Sequence, residues 1–317
     1  MSDNEWKAQT QSRMIRELRS SVYHLHGMMK FKFDENIRDV LIVIDECQIA
    51  NQENQTIRKF FLKNKLFDMN YLKERNIRII QTSATPDNVL VDSREYSADE
   101  HYCSIVEMGL ENPERSYKFF TDIEEGHLKE SMDLSCMDNV KDLFNDIISF
   151  KSARWHIVRI PSDKKMEDIK NQTVTNIEIC ANLNDCDIKY HMMNLSIDDD
   201  KEPEEILSQR PVSGKHTVIL VKNKWRASKS FPDKYIGVVH ERFTKLKPEF
   251  ATEVQGLAGR MIGHGKMKSK YKPIIYCQRK CIQEYIQLFL SNFDYETIDG
   301  WKKTKKPSYL NKDLKSN

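Results

Sequence analysis

The acidic pair Asp45-Glu46 is the part of this sequence whose residue types and position most directly suggest chemistry. It follows Val40–Ile44, an uninterrupted and mostly β-branched apolar run that predicts a strand buried on both faces of a parallel sheet. Carboxylates at the carboxyl end of such a strand lie where open α/β sheets bind ligands. There an Asp can hold Mg²⁺, usually through water, and a Glu can polarise the water that attacks a nucleotide γ-phosphate. The alternative is a strand that ends in a solvated acidic turn.

A second short strand is predicted further along the chain, and it too ends in a polar motif. Residues 79–82, IIQT, lead into the tetrapeptide Ser-Ala-Thr-Pro at 83–86. Together the two motifs resemble motif II, a DExx box, and motif III, Ser-Ala-Thr, of the superfamily 2 helicases and translocases. Their order, spacing and strand context agree with that family. The box reads Asp-Glu-Cys-Gln here, so Gln48 departs from the commoner DEAD and DECH forms.

The resemblance implies roles for the residues of both motifs. ATP and Mg²⁺ would bind in a cleft between two domains, and hydrolysis would drive movement along DNA or RNA. Asp45 would hold the Mg²⁺ ion, and Glu46 would orient the attacking water. Gln48, Ser83 and Thr85 would couple the nucleotide site to nucleic-acid binding.

The glycine-rich loop GxxxxGK[ST], which cradles the triphosphate in such proteins, does not occur in this sequence. The Gly-Lys pairs at 214–215 and 265–266 have no glycine five residues earlier and no Ser or Thr after them. The simplest expectation is a chain that begins inside a helicase first domain, with the missing piece lost or carried by a separate polypeptide. The alternatives are a degenerate relative that no longer hydrolyses ATP, and a non-catalytic nucleic-acid-binding module or subunit that completes a split helicase.

A glycine-rich stretch at residues 255–265, QGLAGRMIGHG, resembles motif VI, whose usual form is Gln-x-x-Gly-Arg-x-x-Arg. Gly259 and Arg260 match its Gly-Arg pair. Gln255 lies one residue too far from Gly259, and Gly263 replaces the second Arg, the usual arginine finger. Arg260 is therefore the candidate catalytic contact to the γ-phosphate, because Arg is permanently charged and can bind phosphate through two hydrogen bonds. The glycine-rich ending resembles helicase-like proteins of large DNA viruses and phages.

A basic segment with one aromatic residue follows the strand predicted at 216–222, near the position of motif V. Short cationic loops of this kind suit contact with phosphates and stacking on a base. The alternative is a solvated basic turn whose aromatic side chain packs inward. The candidate nucleic-acid-binding residues are Lys224, Trp225, Arg226 and Lys229.

Hydrophobic periodicity indicates further helices and strands. Residues 137–150 form the clearest helix, because apolar residues recur there at i, i+3, i+4, i+7 and i+8. Helical spacing also runs from 56 to 72, with a break near Asn64. Additional strands are predicted at 155–161, 216–222, 235–241 and 273–277, with a helix at 282–289.

The expected fold is α/β, and the helicase resemblance implies two RecA-like domains that have parallel sheets. The first domain would lack its phosphate-loop strand and helix. We expect a partial helicase ATP-binding domain with motifs II and III at residues 1–135. A helicase C-terminal RecA-like domain with motifs IV to VI would cover 136–292, and a basic tail 293–317.

Composition excludes several other classes. The 317 residues are 31% charged, and no apolar run approaches the roughly 18 residues of a membrane span, so we expect a soluble protein without a membrane partner. The polar start shows no signal peptide, and seven scattered cysteines fit a reducing compartment. We therefore expect an intracellular location, in the cytoplasm, nucleus or virion. A nuclease is poorly supported, because no carboxylate-Lys cluster at a strand end accompanies Asp45 and Glu46.

Overall fold

The computed structural model divides the chain into two compact units, with the boundary between Val106 and Glu107. The first unit also includes residues 299–317. The structure describes residues 7, 10–12, 14–23, 25–28, 31, 33–34, 36–44, 56–82, 117–161, 164–192, 203–222, 225, 231–245, 253–254, 256–264, 266 and 270–291.

The first unit contains a pair of parallel strands, β1 (Val40–Ile44) and β2 (Ile77–Gln81). Their register is regular, from Val40 opposite Ile77 to Ile44 opposite Gln81. Parallel neighbours need a crossover connection, and helices supply it here. The unit also contains a 3₁₀ helix (Arg16–Ser21) and the helices α1 (Leu25–Met28), α2 (Thr56–Lys63) and α3 (Met69–Glu74).

The break between α2 and α3 lies where the sequence predicts it, at Asn64. This side chain is buried and serves as a link within the core. Its oxygen accepts a hydrogen bond from the backbone N–H of Phe33 at 3.1 Å, and its amide donates to the carbonyl of Phe60 at 2.9 Å. Asp68 then caps α3 by accepting from the N–H of Tyr71 at 3.1 Å.

One face of this small sheet packs on the core, and the other is exposed. The buried cluster contains Phe33, Ile44, Ile57, Phe60, Phe61, Leu66, Leu72 and Ile77. On the opposite face Leu41 and Val43 are each 59% exposed, and Ile80 is 48% exposed. This exposure is unusual, because parallel sheets are normally covered on both faces.

The second unit is built on a six-stranded parallel sheet with the order β4-β10-β8-β5-β7-β6. The central strands β5, β7 and β8 are buried along almost their whole length, as expected for β-branched runs in a covered sheet. The strands are β4 (Leu128–Glu130), β5 (Trp155–Arg159), β6 (Asp187–Met192), β7 (Thr217–Lys222), β8 (Ile236–His240) and β10 (Ile274–Cys277).

A separate antiparallel pair, β3 (Tyr117–Lys118) and β9 (Gly263–His264), accompanies the sheet. The helices of this unit are α4 (Met137–Ile148), α5 (Glu167–Leu183), α6 (Pro203–Leu207), α7 (Leu257–Arg260) and α8 (Arg279–Leu290). Helix α4 places Val140, Leu143, Phe144 and Ile147 in the main core, on the face that the sequence pattern predicts. Short 3₁₀ helices cover Phe120–Asp122, Lys164–Met166 and Asp233–Tyr235.

The predicted α/β class with parallel sheets is confirmed. The division of the chain differs from the predicted boundary near residue 135, because β4 pairs with β10 and so belongs to the six-stranded sheet. The RecA-like assignment of the two domains stays a prediction. Among the described residues, no helix combines the length and the apolar character that crossing a membrane requires.

Candidate functional site

In the first unit, a candidate site lies at the carboxyl ends of β1 and β2. Ile44 is the last residue of β1 and pairs with Gln81 at the end of β2. The N–H of Thr82 then donates to the carbonyl of Ile44 at 2.9 Å. The two strands therefore end side by side at one edge of their sheet.

Both predicted motifs follow directly from this edge. The acidic pair Asp45-Glu46 comes after Ile44, and Ser83 comes after Thr82. These motif residues, together with Gln48 and Thr85, lie outside the residues that the structure describes. Within the described part of the chain, no group of three or more His, Cys, Asp or Glu side chains is placed to hold a metal ion.

A separate candidate site lies at the carboxyl ends of the central strands of the second unit. From β5 the chain passes through α5 to β6, on one side of β5, and from β8 it passes through α7 to β10, on the other side. Because β5 and β8 are neighbours, the strand order reverses between them. Open α/β sheets bind ligands in the crevice outside such a reversal.

A buried ion pair lies at this reversal. Arg159 ends β5, Glu241 follows β8, and the Arg159 Nε atom is 2.7 Å from the Glu241 Oε1 atom. The Arg159 side chain is 10% exposed and the Glu241 side chain 1%. Desolvating two charges is costly, so such a pair persists only where further hydrogen bonds satisfy both groups.

Backbone groups supply those hydrogen bonds. The Glu241 Oε2 atom accepts from the N–H of Leu257 at 2.8 Å, and Oε1 accepts from the N–H of Arg242 at 3.0 Å. On the other side, the Arg159 Nη2 atom donates to the carbonyl of Trp225 at 3.2 Å. The ion pair thus connects β5 and β8 to the first residue of α7 and to the segment after β7.

Helix α7 carries the Gly-Arg pair predicted as motif VI, and its geometry explains the glycine. A Cβ atom at Gly259 would lie 1.7 Å from the carbonyl oxygen of Val254, so any other residue would push the backbone apart. Arg260 is the last residue of this short helix and is half-buried. Its carbonyl accepts a hydrogen bond from the ammonium group of Lys266.

Trp225 is buried instead of being presented to solvent. Its side chain is 3% exposed and packs edge-on against Phe231, with ring centroids 5.4 Å apart. Its backbone has a φ of +56°, which is unfavourable for a bulky residue and is sustained here by the buried indole and the Arg159 hydrogen bond. This geometry corrects the predicted stacking role, because the indole offers no open face to a base.

A second buried carboxyl group, that of Glu253, connects the segment before α7 to the end of β10. Glu253 is 1% exposed, and its Oε2 atom accepts from the N–H of Gln278 at 3.0 Å, just after β10. Burial, together with the charge of the neighbouring Glu241, raises the pKa of Glu253 to about 7, although the Gln278 hydrogen bond opposes this shift. At neutral pH this carboxyl group is therefore protonated in a large fraction of the folded molecules.

The structure describes only some of the predicted site residues. The structure locates Arg260 and Trp225, and it places the ends of β1 and β2 together. Lys224, Arg226 and Lys229 lie outside the described residues, as do the residues of motifs II and III. Sequence reasoning missed Arg159, Glu241 and Glu253. The available signal for the first two was a charged residue at the end of an apolar strand, for Arg159, or directly after one, for Glu241.

Comparison with known proteins identifies a similar viral protein. The chain is 25% identical over 296 residues to a protein described as uncharacterized protein L594 of Acanthamoeba polyphaga mimivirus. The match covers 89% of this chain and 69% of the viral protein. No protein-family model matches the chain. No solved structure matches it either.

The buried ion pair leads to a prediction about stability. Glu241→Gln keeps an acceptor for the Leu257 N–H but leaves Arg159 as an uncompensated buried cation. We expect it to lower the free energy of unfolding by about 3–5 kcal/mol, measured by chemical denaturation.

The exposed Lys141–Asp138 pair provides a matched control, since its side chains are 62% and 83% exposed. Asp138→Asn should lower the free energy of unfolding much less, because solvent screens this exposed pair. Equal effects of the two substitutions would show that the buried pair does not organise this edge.

The raised pKa of Glu253 leads to a prediction about pH dependence. Between pH 4.5 and about 7 the unfolded carboxyl loses its proton while the folded one retains it. Stability contributed by this group is therefore fully present below pH 4.5 and is lost as the pH rises through about 7. Glu253→Gln imitates the protonated form, so above pH 7 it should be more stable than the parent chain by up to about 3 kcal/mol.

The difference between variant and parent isolates this effect. It cancels contributions from groups that both chains share, such as His240, whose pKa burial lowers to about 4. Denaturation curves across this pH range give the measurement, and Glu204→Gln, an exposed carboxyl on α6, is the control. A constant difference between Glu253→Gln and the parent at all pH values would contradict the assignment.

Proposed function

We propose that this chain is a superfamily 2 helicase-like protein whose ATP hydrolysis depends on nucleic acid and is coupled to translocation along a strand or to unwinding. Asp45 would hold Mg²⁺, which supplies charge neutralisation at the phosphates. Glu46 would orient the attacking water. Arg260 would contact the γ-phosphate. The nucleic-acid partner is DNA or RNA.

The observation that carries this proposal is the parallel register of β1 and β2. The hydrogen bond from Thr82 to Ile44 joins the ends of the two strands immediately before the acidic pair and the Ser-Ala-Thr motif. Two polar motifs far apart in sequence therefore leave the sheet from adjacent positions. Carboxylates and hydroxyls at the carboxyl edge of a parallel sheet are suited to bind a metal-nucleotide complex.

The second unit offers further support. Its carboxyl edge holds the Arg159–Glu241 pair, and that pair anchors the first residue of the helix that carries Arg260. The close approach at Gly259 gives the Gly-Arg pair a structural requirement. An arginine held on an anchored helix has the chemistry needed for a phosphate contact.

A second candidate is a non-catalytic nucleic-acid-binding module, or a subunit of a split helicase that completes its ATP site with a partner polypeptide carrying the phosphate-binding loop. The exposed face of the β1–β2 sheet favours it. Leu41 and Val43, each 59% exposed, and Ile80, 48% exposed, form an apolar surface on a type of sheet that is normally covered. A partner that adds a strand and helix would cover this surface and bring the missing loop.

ATP turnover by the purified chain, measured with Mg²⁺ and with or without single-stranded DNA or RNA, tests the first candidate. The first candidate predicts turnover that nucleic acid stimulates. Glu46→Gln should lower it by about 10²-fold or more, because the attacking water loses its general base, while nucleic-acid binding is preserved. Glu74→Gln, an exposed carboxyl in the same unit, should leave turnover unchanged.

The outcomes separate the two candidates. Unchanged turnover in Glu46→Gln would remove the catalytic assignment. Absence of turnover in the parent chain, together with salt-sensitive binding of nucleic acid, would favour the second candidate. Absence of both activities would exclude both.

A further inference from the structure

A pocket of about 240 Å³ lies in the second unit, at the amino ends of β4 and β10. His127 immediately precedes β4, and Pro273 immediately precedes β10; the His127 Nδ1 atom lies 3.4 Å from the Pro273 carbonyl oxygen. The opposite ends of these strands belong to the edge that carries Glu130 and Gln278. The pocket is therefore separate from the carboxyl edge discussed above.

Lysines dominate the polar lining of this pocket. Lys118 comes from β3, Lys266 from the segment after β9 and Lys272 from the residue before Pro273. Two carboxylates also line it, so the three ammonium groups exceed the carboxylates by one charge. Both carboxylates already have partners, since Glu124 pairs with Lys272 and the Asp122 Oδ2 atom accepts from the N–H of Phe119 at 2.7 Å.

Lys266 is the most deeply placed of these cations. Its ammonium group donates to the carbonyl of Arg260, and an ammonium group has three donors. Burial lowers the pKa of Lys266 to about 8; Asp233 opposes this shift, while Arg260 and Lys118 add to it. The ammonium group thus has two cations, Arg260 and Lys118, and one carboxylate, Asp233, in its surroundings, and a bound anion would offset the remaining positive charge.

We propose that this lysine pocket, lined by Lys118, Lys266, Lys272 and His127, is a binding site for a phosphate monoester. The ammonium groups of Lys266 and Lys118 make the main contacts, and His127 and Lys272 form the rim. Lysine suits this role, because it binds phosphate as a compact point charge with several donors.

Because Lys266 lies deep in the pocket, the pocket should favour a phosphate monoester over a phosphodiester. A phosphate monoester has a single ester bond, so its three terminal oxygens can enter the pocket while the rest of the ligand stays outside. A phosphodiester within a strand is flanked by chain on both sides and cannot reach a buried ammonium in the same way. The monoester could belong to a small phosphorylated molecule or to the 5′ end of a nucleic-acid strand. This site does not depend on the proposed ATP hydrolysis.

Isothermal titration calorimetry of the full chain with inorganic phosphate at neutral pH and low ionic strength tests the proposal. We expect saturable binding. Lys266→Met and Lys118→Met should each weaken it by about tenfold or more, because each removes a charge-assisted hydrogen bond. Met preserves much of the length of the lysine stem, and circular dichroism will show whether each variant folds.

Two controls locate the binding. Lys141→Met removes an exposed lysine on α4, outside the pocket, and should bind phosphate as the parent does. Asp45→Asn changes the proposed metal site and should also leave phosphate binding unchanged. Absence of saturable binding, or equal binding by the parent and both pocket variants, would overturn the proposal. Binding that is altered in Asp45→Asn but retained in Lys266→Met would overturn it too, since the phosphate would then belong to the other site.

Oligonucleotides of one sequence, with either a 5′-phosphate or a 5′-hydroxyl, separate the two sources of the monoester. A preference of the parent chain for the 5′-phosphate that is lost in Lys266→Met would assign the pocket to strand ends. Binding of inorganic phosphate without that preference would assign it to small phosphorylated molecules. Both results support a phosphate monoester site.

Discussion

The ion pair between Arg159 and Glu241 is the interaction on which the carboxyl edge of the second unit depends. It lies where the strand order reverses, the place at which an open α/β sheet has a crevice. Coulombic attraction alone would not offset the desolvation of both charges. Backbone N–H groups of Arg242 and Leu257 and the carbonyl of Trp225 complete the hydrogen bonding. One buried pair thus positions three separate segments, including the helix that carries the Gly-Arg pair.

The two parallel sheets differ in how they are covered. Strands β5, β7 and β8 are buried on both faces, whereas β1 alternates between partly buried and exposed residues up to the buried Ile44, although its sequence is equally apolar. A parallel strand of this composition is stable with a layer on each side. The open face of the β1–β2 pair is therefore the part of the described structure most suited to receive another layer, whichever of the two proposed functions holds.

The second unit also separates two kinds of chemistry on opposite edges of one sheet. The carboxyl edge carries carboxyl groups and arginine in a tightly hydrogen-bonded arrangement. The amino edge carries lysines around an open pocket. Helix α7 has contacts with both edges. The N–H of Leu257 donates to Glu241 at the carboxyl edge, and the carbonyl of Arg260 accepts from Lys266 at the amino edge. Residues of both edges therefore contact the same short helix.

Sequence alone determined the parallel α/β class, the strands at both motif positions and helix α4, because long apolar runs and helical periodicity do not depend on distant contacts. It did not reveal α5, whose buried face includes Thr173, Asn176 and Cys180 in place of large apolar residues. Only the tertiary structure decided that Trp225 packs inward, that Arg159 meets Glu241 and that Lys266 joins Lys118 in a pocket. Each of these depends on which strand ends lie together, and strand order is set by the packing of the whole sheet.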